Sequence, residues 1–352
     1  MTTGRKLAVL ILVALGGLSL ACSPGYVLRA GWEEAKILQG SRPIHEVVHD
    51  SATDARVRSS LRLVADAREY ARVALGLEPK RSFESYAVVT HDTLQLVVSA
   101  APEFQLVWKT WWFPIVGHVP YKGYFKFDEA FREAERLTEN GYDTWVRPTS
   151  AFSTLGWLPD PVLSTTLEAD SVRIVETVIH EIVHTTYFPR GHIQFSESFA
   201  NFVGYQGAIQ FFCQDAMVPI ECQVARDRWT DVQALGQFYR SLFERLEGLY
   251  RSEASVDEMR ASKRSILADG ARHFQEQIRP ALVSGWYADL DPSALNNAWL
   301  LSRILYSERL HDFELARLRV GSLEALIHSF VIAGDPDPWS VLDGLLLTSS
   351  LR

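Results

Sequence analysis

Between Val175 and Phe188 the sequence reads VETVIHEIVHTTYF, an apolar segment carrying two histidines four residues apart. On a helix, residues i and i+4 lie one turn apart on the same face. His180 and His184 can therefore aim ring nitrogens at one divalent ion, while Glu181 projects toward the same edge. This is the HExxH spacing, two zinc ligands with a glutamate placed to take a proton from an attacking water. A catalytic zinc uses three protein ligands and keeps a position for water, so a third ligand is required. Two residues downstream qualify: Glu197 in FSESFANFVG and His192 in PRGH. Glu197 is preferred, because a helix holds ligand geometry better than a turn. The metzincin spacing is excluded, since Tyr187 and Arg190 stand where it needs Gly and His.

Those residues need two helices packed side by side. Asp170 or Ser171 can cap the first, and Ile174, Val175, Val178 and Ile179 give it an apolar flank. Pro189 to His192 break that helix and let the chain reverse. The second helix is expected to open on Ser196 as its cap, with Glu197 in the first turn and Phe199, Phe202 and Val203 toward the core. Upstream, residues 26–80 read as helices, with Val57, Leu61, Val64, Ala65, Ala67 and Ala71 close to helical spacing and Gly76 marking an end. From Phe83 to Phe125 the alternation predicts one small twisted sheet. A helix stopped by Gly141 and a strand YDTWVRP complete a sheet region over 83–150. Metal-site helices follow over 168–212 and C-terminal helices over 226–352. The fold class is α+β, mainly helical, with a small sheet ahead of the histidine helix in a single domain spanning 22–352.

The chain has 352 residues, 47% hydrophobic and 22% charged, with a formal net charge of −8. That balance argues against nucleic acid as the main partner, which usually selects a basic footprint. Residues 1–21 have the layout of an export signal: Arg5 and Lys6, an apolar run from Leu7 to Leu15, then SLAC. Cys22 follows as a candidate lipidation site, although Ser19 and Leu20 are interchanged relative to the usual lipobox. Export to the cell envelope, with a lipid anchor in the membrane, is the expectation; a plain secretory signal is the alternative. Cys213 and Cys222 could form a disulfide in an oxidising compartment or remain two half-buried thiols.

HEIVH followed by FSESFANFVG resembles the gluzincin peptidases, in which a helix opening with Glu-x-x-Ala follows the HExxH helix. The interval of twelve residues between His184 and Glu197 is similar to that of a smaller family, the predicted aminopeptidases of bacterial envelopes. GYVLRAGWEEAKIL, SRPIHEVV, AAPEFQLVWKTWWFPIVGHVPYKGYF, STLGWLPDPVLSTTL and LNNAWLLSRILY resemble that family too, so the likeness spans most of the chain. It implies a thermolysin-like zincin core, one Zn2+ on His180, His184 and Glu197, Glu181 as proton shuttle, and a peptide substrate. Trp112 and His118 stand where cysteines of the family are expected, which puts a family disulfide there in doubt. Such chemistry needs a donor for the tetrahedral oxyanion, for which Tyr306 and Tyr124 are candidates. An aminopeptidase also needs a carboxylate for the substrate ammonium. The large zinc aminopeptidases use a Gly-x-Met-x-Asn strand that this chain lacks, and Glu103 in VVSAAPEFQ occupies a comparable place. Glu176, one turn before His180, is expected either to orient a histidine or to face solvent. An endopeptidase of the same class, or a non-catalytic zinc lipoprotein, remains open at this point.

Overall fold

The computed structural model describes residues 37–89, 95–113, 117–149, 160–214, 219–285, 287, 294–334 and 337–347. The export signal and Cys22 lie outside them. In chain order, β1 (Arg42–Pro43) leads into α1 (Ile44–His49) and α2 (Ala55–Ala74). Then come β2 (Ser85–Ala87), β3 (Gln95–Pro102), β4 (Trp111–Phe113), β5 (Gly117–Val119), β6 (Tyr121–Tyr124), α3 (Phe127–Glu139), β7 (Tyr142–Thr149) and β8 (Val162–Leu163). The remaining helices are α4 (Ser171–Thr186), α5 (Ile193–Cys213), α6 (Pro219–Tyr250), α7 (Val256–His273), α8 (Asn297–Ile304), α9 (Leu310–Val320), α10 (Leu323–Ala333) and α11 (Pro338–Leu347). The protein is mainly helical α+β, with its strands ahead of the histidine helix α4.

The strands form three small sheets rather than the one twisted sheet expected over Phe83 to Phe125. Their orders are β1-β2-β8, β6-β3-β7 and β4-β5. Alternation reveals where strands are but not which strands pair: β7 was expected as a strand but not as the partner of β3, and β1 and β8, two residues each, are too short to show alternation. The longest strand, β3, is central in its sheet and buried on both faces. Leu96, Val98 and Ala100 pack on Ala130, Ala134 and Leu137 of α3. Ala101 faces the other way, onto Ala298 and Leu301 of α8. In the register, Ser99 stands opposite Tyr121 on one side and Trp145 on the other, and Val97 opposite Gly123 and Arg147.

Asp54 caps α2 by accepting from the Arg56 and Val57 amides, and Gly76 turns the chain away at φ 66°. The buried face of α2, with Leu61, Val64, Ala67 and Ala71, joins a large core. That core contains Ile179 and Val183 of α4, Phe195, Phe199 and Phe202 of α5, Phe313 of α9 and Phe330 of α10. Each such side chain contributes about 1.5–3 kcal/mol by leaving water. Phe195 and Phe199 stack at 5.5 Å, and Phe330 meets Phe199 edge-on at 4.8 Å.

Close approach of α4 and α5 depends on two glycines. A Cβ at Gly204 would come within 2.9 Å of the Glu176 carbonyl oxygen and 3.4 Å of the His180 Cβ. At Gly207 it would meet Ile179 Cδ1 at 2.8 Å. The far end of α5 is tied to α6 by a disulfide between Cys213 and Cys222, the first of the two outcomes the sequence left open. Among the described residues, no helix is long and apolar enough to cross a membrane.

Candidate metal centre

Asp170 is the residue that caps α4, accepting from the Arg173 amide at 3.0 Å. The apolar flank buries Ile174, Val175, Val178 and Ile179, which fixes the rotation of the helix. His180 and His184 then turn their Nε2 atoms toward one point, 3.2 Å apart. The helix α5 returns alongside and brings Glu197 Oε2 to 3.5 Å from His180 Nε2 and 3.7 Å from His184 Nε2. All three ligand atoms lie within 4.8 Å of one another. A tetrahedral ion with bonds of about 2.0–2.2 Å spaces its ligand atoms about 3.3–3.6 Å apart. The observed edges match that spacing, and two imidazoles with one carboxylate are a zinc-type donor set, so the residues present fit the ion.

His184 and Glu197 are buried, whereas His180 and Glu181 are partly open. Burial alone would raise the Glu197 carboxyl, but His184 and His180 outweigh it and hold that group far below the usual carboxylate range. Burial likewise pulls His184 down, and the Glu197 charge reverses the sign and leaves it raised.

Tyr306 lies at this site. Its ring is 6.3 Å from that of His180. Burial, then the nearby Glu197 charge, pushes its hydroxyl well above the ordinary range, so it remains a proton donor. Glu181 is close enough to act electrostatically on both His184 and Tyr306. Two neighbours of Glu197 place that tyrosine. Ser198 Oγ donates to the Leu305 carbonyl at 3.0 Å and accepts from the Glu308 amide at 2.9 Å. Asn201 Nδ2 donates to the Tyr306 carbonyl at 2.7 Å. The sequence reading missed Ser198 and Asn201. The available signal was a pair of polar residues inside an otherwise apolar helix, next to a carboxylate.

Other expected residues are placed elsewhere. His192, the rival ligand, occupies the N-cap position of α5 and faces Asp337, with Nδ1 3.6 Å from Oδ1. Ser196 is not the cap. The helix starts four residues earlier than that cap implies, at Ile193, because the turn at Gly191 (φ 81°) already reverses the chain. Tyr124 packs in the core between β3 and α3 rather than at the triad. Glu103 lies just past β3, where Arg260 of α7 grips both carboxylate oxygens at 2.7 and 3.0 Å. A carboxylate already paired with a guanidinium is a poor receptor for a substrate ammonium.

Glu176 is neither solvated nor aimed at a histidine. It is buried beside Arg228 at 3.4 Å and Arg173 at 3.5 Å. Burial pushes its carboxyl up against the pull of those two arginines. Among the described residues the Nδ1 of His184 has no hydrogen-bond partner, so a carboxylate support for that ring is not supplied by Glu176. Trp112 and His118 stand directly opposite each other in the β4-β5 hairpin, and neither can form the bridge that cysteines there would allow.

Two histidines one turn apart, an intervening glutamate and a glutamate from the next helix are the arrangement of metallopeptidases with an HExxH helix. Within that class the chain belongs to the family described as "Putative aminopeptidase", whose model matches residues 25–325. No curated protein and no solved structure matches the chain.

Proposed function

We propose that the protein is a zinc-dependent aminopeptidase of the bacterial cell envelope. The observation that carries the hydrolytic reading is the convergence of His180, His184 and Glu197 at tetrahedral spacing, with Glu181 and Tyr306 beside them. A divalent ion held by these three residues supplies a Lewis acid for the scissile carbonyl and lowers the pKa of the attacking water. Glu181 takes the proton from that water and passes it to the leaving amine. Tyr306 offers its hydroxyl to the carbonyl oxygen as charge develops there. Family membership supports release of N-terminal residues.

The test of the chemistry is Glu181→Gln. It should leave zinc binding and folding intact while lowering kcat by about 10²–10⁴-fold, the range of general base catalysis. Full activity in that variant would sink the peptidase reading. Peptides with free and acetylated N-termini decide the mode of attack. Aminopeptidase action requires that acetylation block cleavage. The engagement of Glu103 by Arg260 favours, as the second reading, an endopeptidase of the same zinc class, which equal cleavage of both peptides would establish.

Envelope residence rests on the signal-like residues 1–21 and on Cys22. The Cys213–Cys222 disulfide supports it, because such bonds persist in oxidising compartments. Metabolic labelling with a fatty acid should mark the wild type and not Cys22→Ala. Absence of label in both leaves a plain secretory signal.

A further inference from the structure

Among the described residues, several buried or partly buried arginines meet carboxylates. Arg228 meets Asp170 and Glu176, Arg240 meets Glu308, Arg309 meets Asp312 and Asp343, and Arg317 meets Glu314. Arg303 and Arg147 differ: among the described residues neither is paired with a carboxylate. The guanidinium of Arg303 lies over the rings of Trp145 at 5.0 Å and Trp299 at 5.1 Å, and its Nε is buried without a hydrogen-bond partner. Arg147 lies over the same Trp145 ring at 5.8 Å. Two cations therefore share one indole.

Their position in the fold is specific. Along β7, Val146 packs into the core with α3, so Trp145 and Arg147 share the opposite face. The register puts Tyr121 and Ser99 beside Trp145 on that face, and α8, which carries Arg303, covers it. Tyr306 follows Arg303 by three residues and stands beside His180. The Tyr306 amide donates to the Arg303 carbonyl at 3.3 Å, so the turn that carries the tyrosine starts from this arginine. The cation pair is thus joined to the candidate metal centre through the turn that carries Tyr306.

We propose that Arg147 and Arg303 form a subsite for a carboxylate of the peptide substrate. Holding two guanidiniums over one indole while both are only partly open to water is unfavourable, and the tryptophan faces offset only part of the cost. A carboxylate supplies the missing charge and matches the planar donor fork of arginine. The group comes either from the free C-terminus of a short peptide or from an acidic side chain near the scissile bond. In both cases the enzyme selects anionic peptides over neutral ones. The inference deepens the peptidase reading and rests on it for the location of the substrate.

Binding can be read without turnover in the zinc-loaded Glu181→Gln protein. Calorimetry would compare trialanine, trialanine amide and alanyl-glutamyl-alanine amide, with and without Arg147→Gln. A charge-assisted pair predicts that one of the two carboxylate-bearing peptides binds about 10–100-fold tighter than trialanine amide. Arg147→Gln should remove that preference while leaving the amide unchanged. Preference for trialanine assigns the C-terminal source, and preference for the glutamyl peptide assigns the side chain. Arg303→Lys, which keeps the charge but loses the fork, should give an intermediate loss. Equal binding of all three peptides, or a preference that survives Arg147→Gln, overturns the subsite. The same peptides offered to the wild type separate the two readings. Carboxylate preference without hydrolysis sinks the peptidase assignment alone, and hydrolysis without preference sinks the subsite alone.

Discussion

The two ends of α4 carry ionisable groups of opposite logic. At its start, Asp170 and Glu176 face Arg173 and Arg228, so two acids are matched by two bases. At its other end, His180 and His184 meet Glu197, a set made only of electron-pair donors. Both clusters are substantially buried, and both shift the pKa values of their members. Burial and perturbed titration therefore do not separate a site from a scaffold. The composition of the cluster does: one set closes its own electrostatics, while the other is a donor set that a metal ion would complete.

The sharpest way to break this contrast is Glu197→Ala. It should cut zinc affinity by more than the 10–100-fold typical of outer-shell partners, with loss of peptide hydrolysis and retention of the helical fold. Metal analysis after dialysis reads the first, circular dichroism the last. Should Glu197→Ala keep its zinc and His192→Ala release it, the third ligand has been misassigned. At the balanced end, Arg228→Met leaves two acids short of a base and should cost about 3–5 kcal/mol of stability. Denaturant titration would show the loss, and zinc content of the folded fraction should not change. A drop in zinc stoichiometry there would mean the two ends are not independent. The smallest effect is expected for Asn201→Ala, which removes one hydrogen bond, about 0.5–1.5 kcal/mol. It should reduce kcat severalfold by loosening Tyr306, with zinc affinity unchanged. If kcat stays at the wild-type value, the Tyr306 backbone is held by other contacts.

Much of the triad was legible because helical geometry is local. A four-residue separation fixes one face, and PRGH followed by FSESFANFVG signals a reversal into a second helix. What was not legible depended on partners remote in sequence. The charge of Glu176 is buried because Arg228 arrives from α6, 52 residues later. Glu103 reads as a free strand-end acid until Arg260 of α7 is set against it, 157 residues away. Tyr306 is one aromatic among many until Asn201 and Ser198 draw its turn against α5. For the same reason β3 and β7 were expected as strands without their pairing, and the short β1 and β8 were not expected at all.

The helix α5 bears Glu197, Ser198 and Asn201 within a little more than one turn. It therefore presents the candidate ligand Glu197 with one side chain and holds the backbone around Tyr306 with the next ones. Any rocking of that helix against α4 would carry Glu197 and the backbone around Tyr306 together. Their mutual spacing is insulated from the motion, much as two instruments bolted to one bench are unaffected by vibration of the floor. What the motion does alter is their distance from the histidines, and there the bare backbone at Gly204 sets the limit, with no side chain to hold the helices apart.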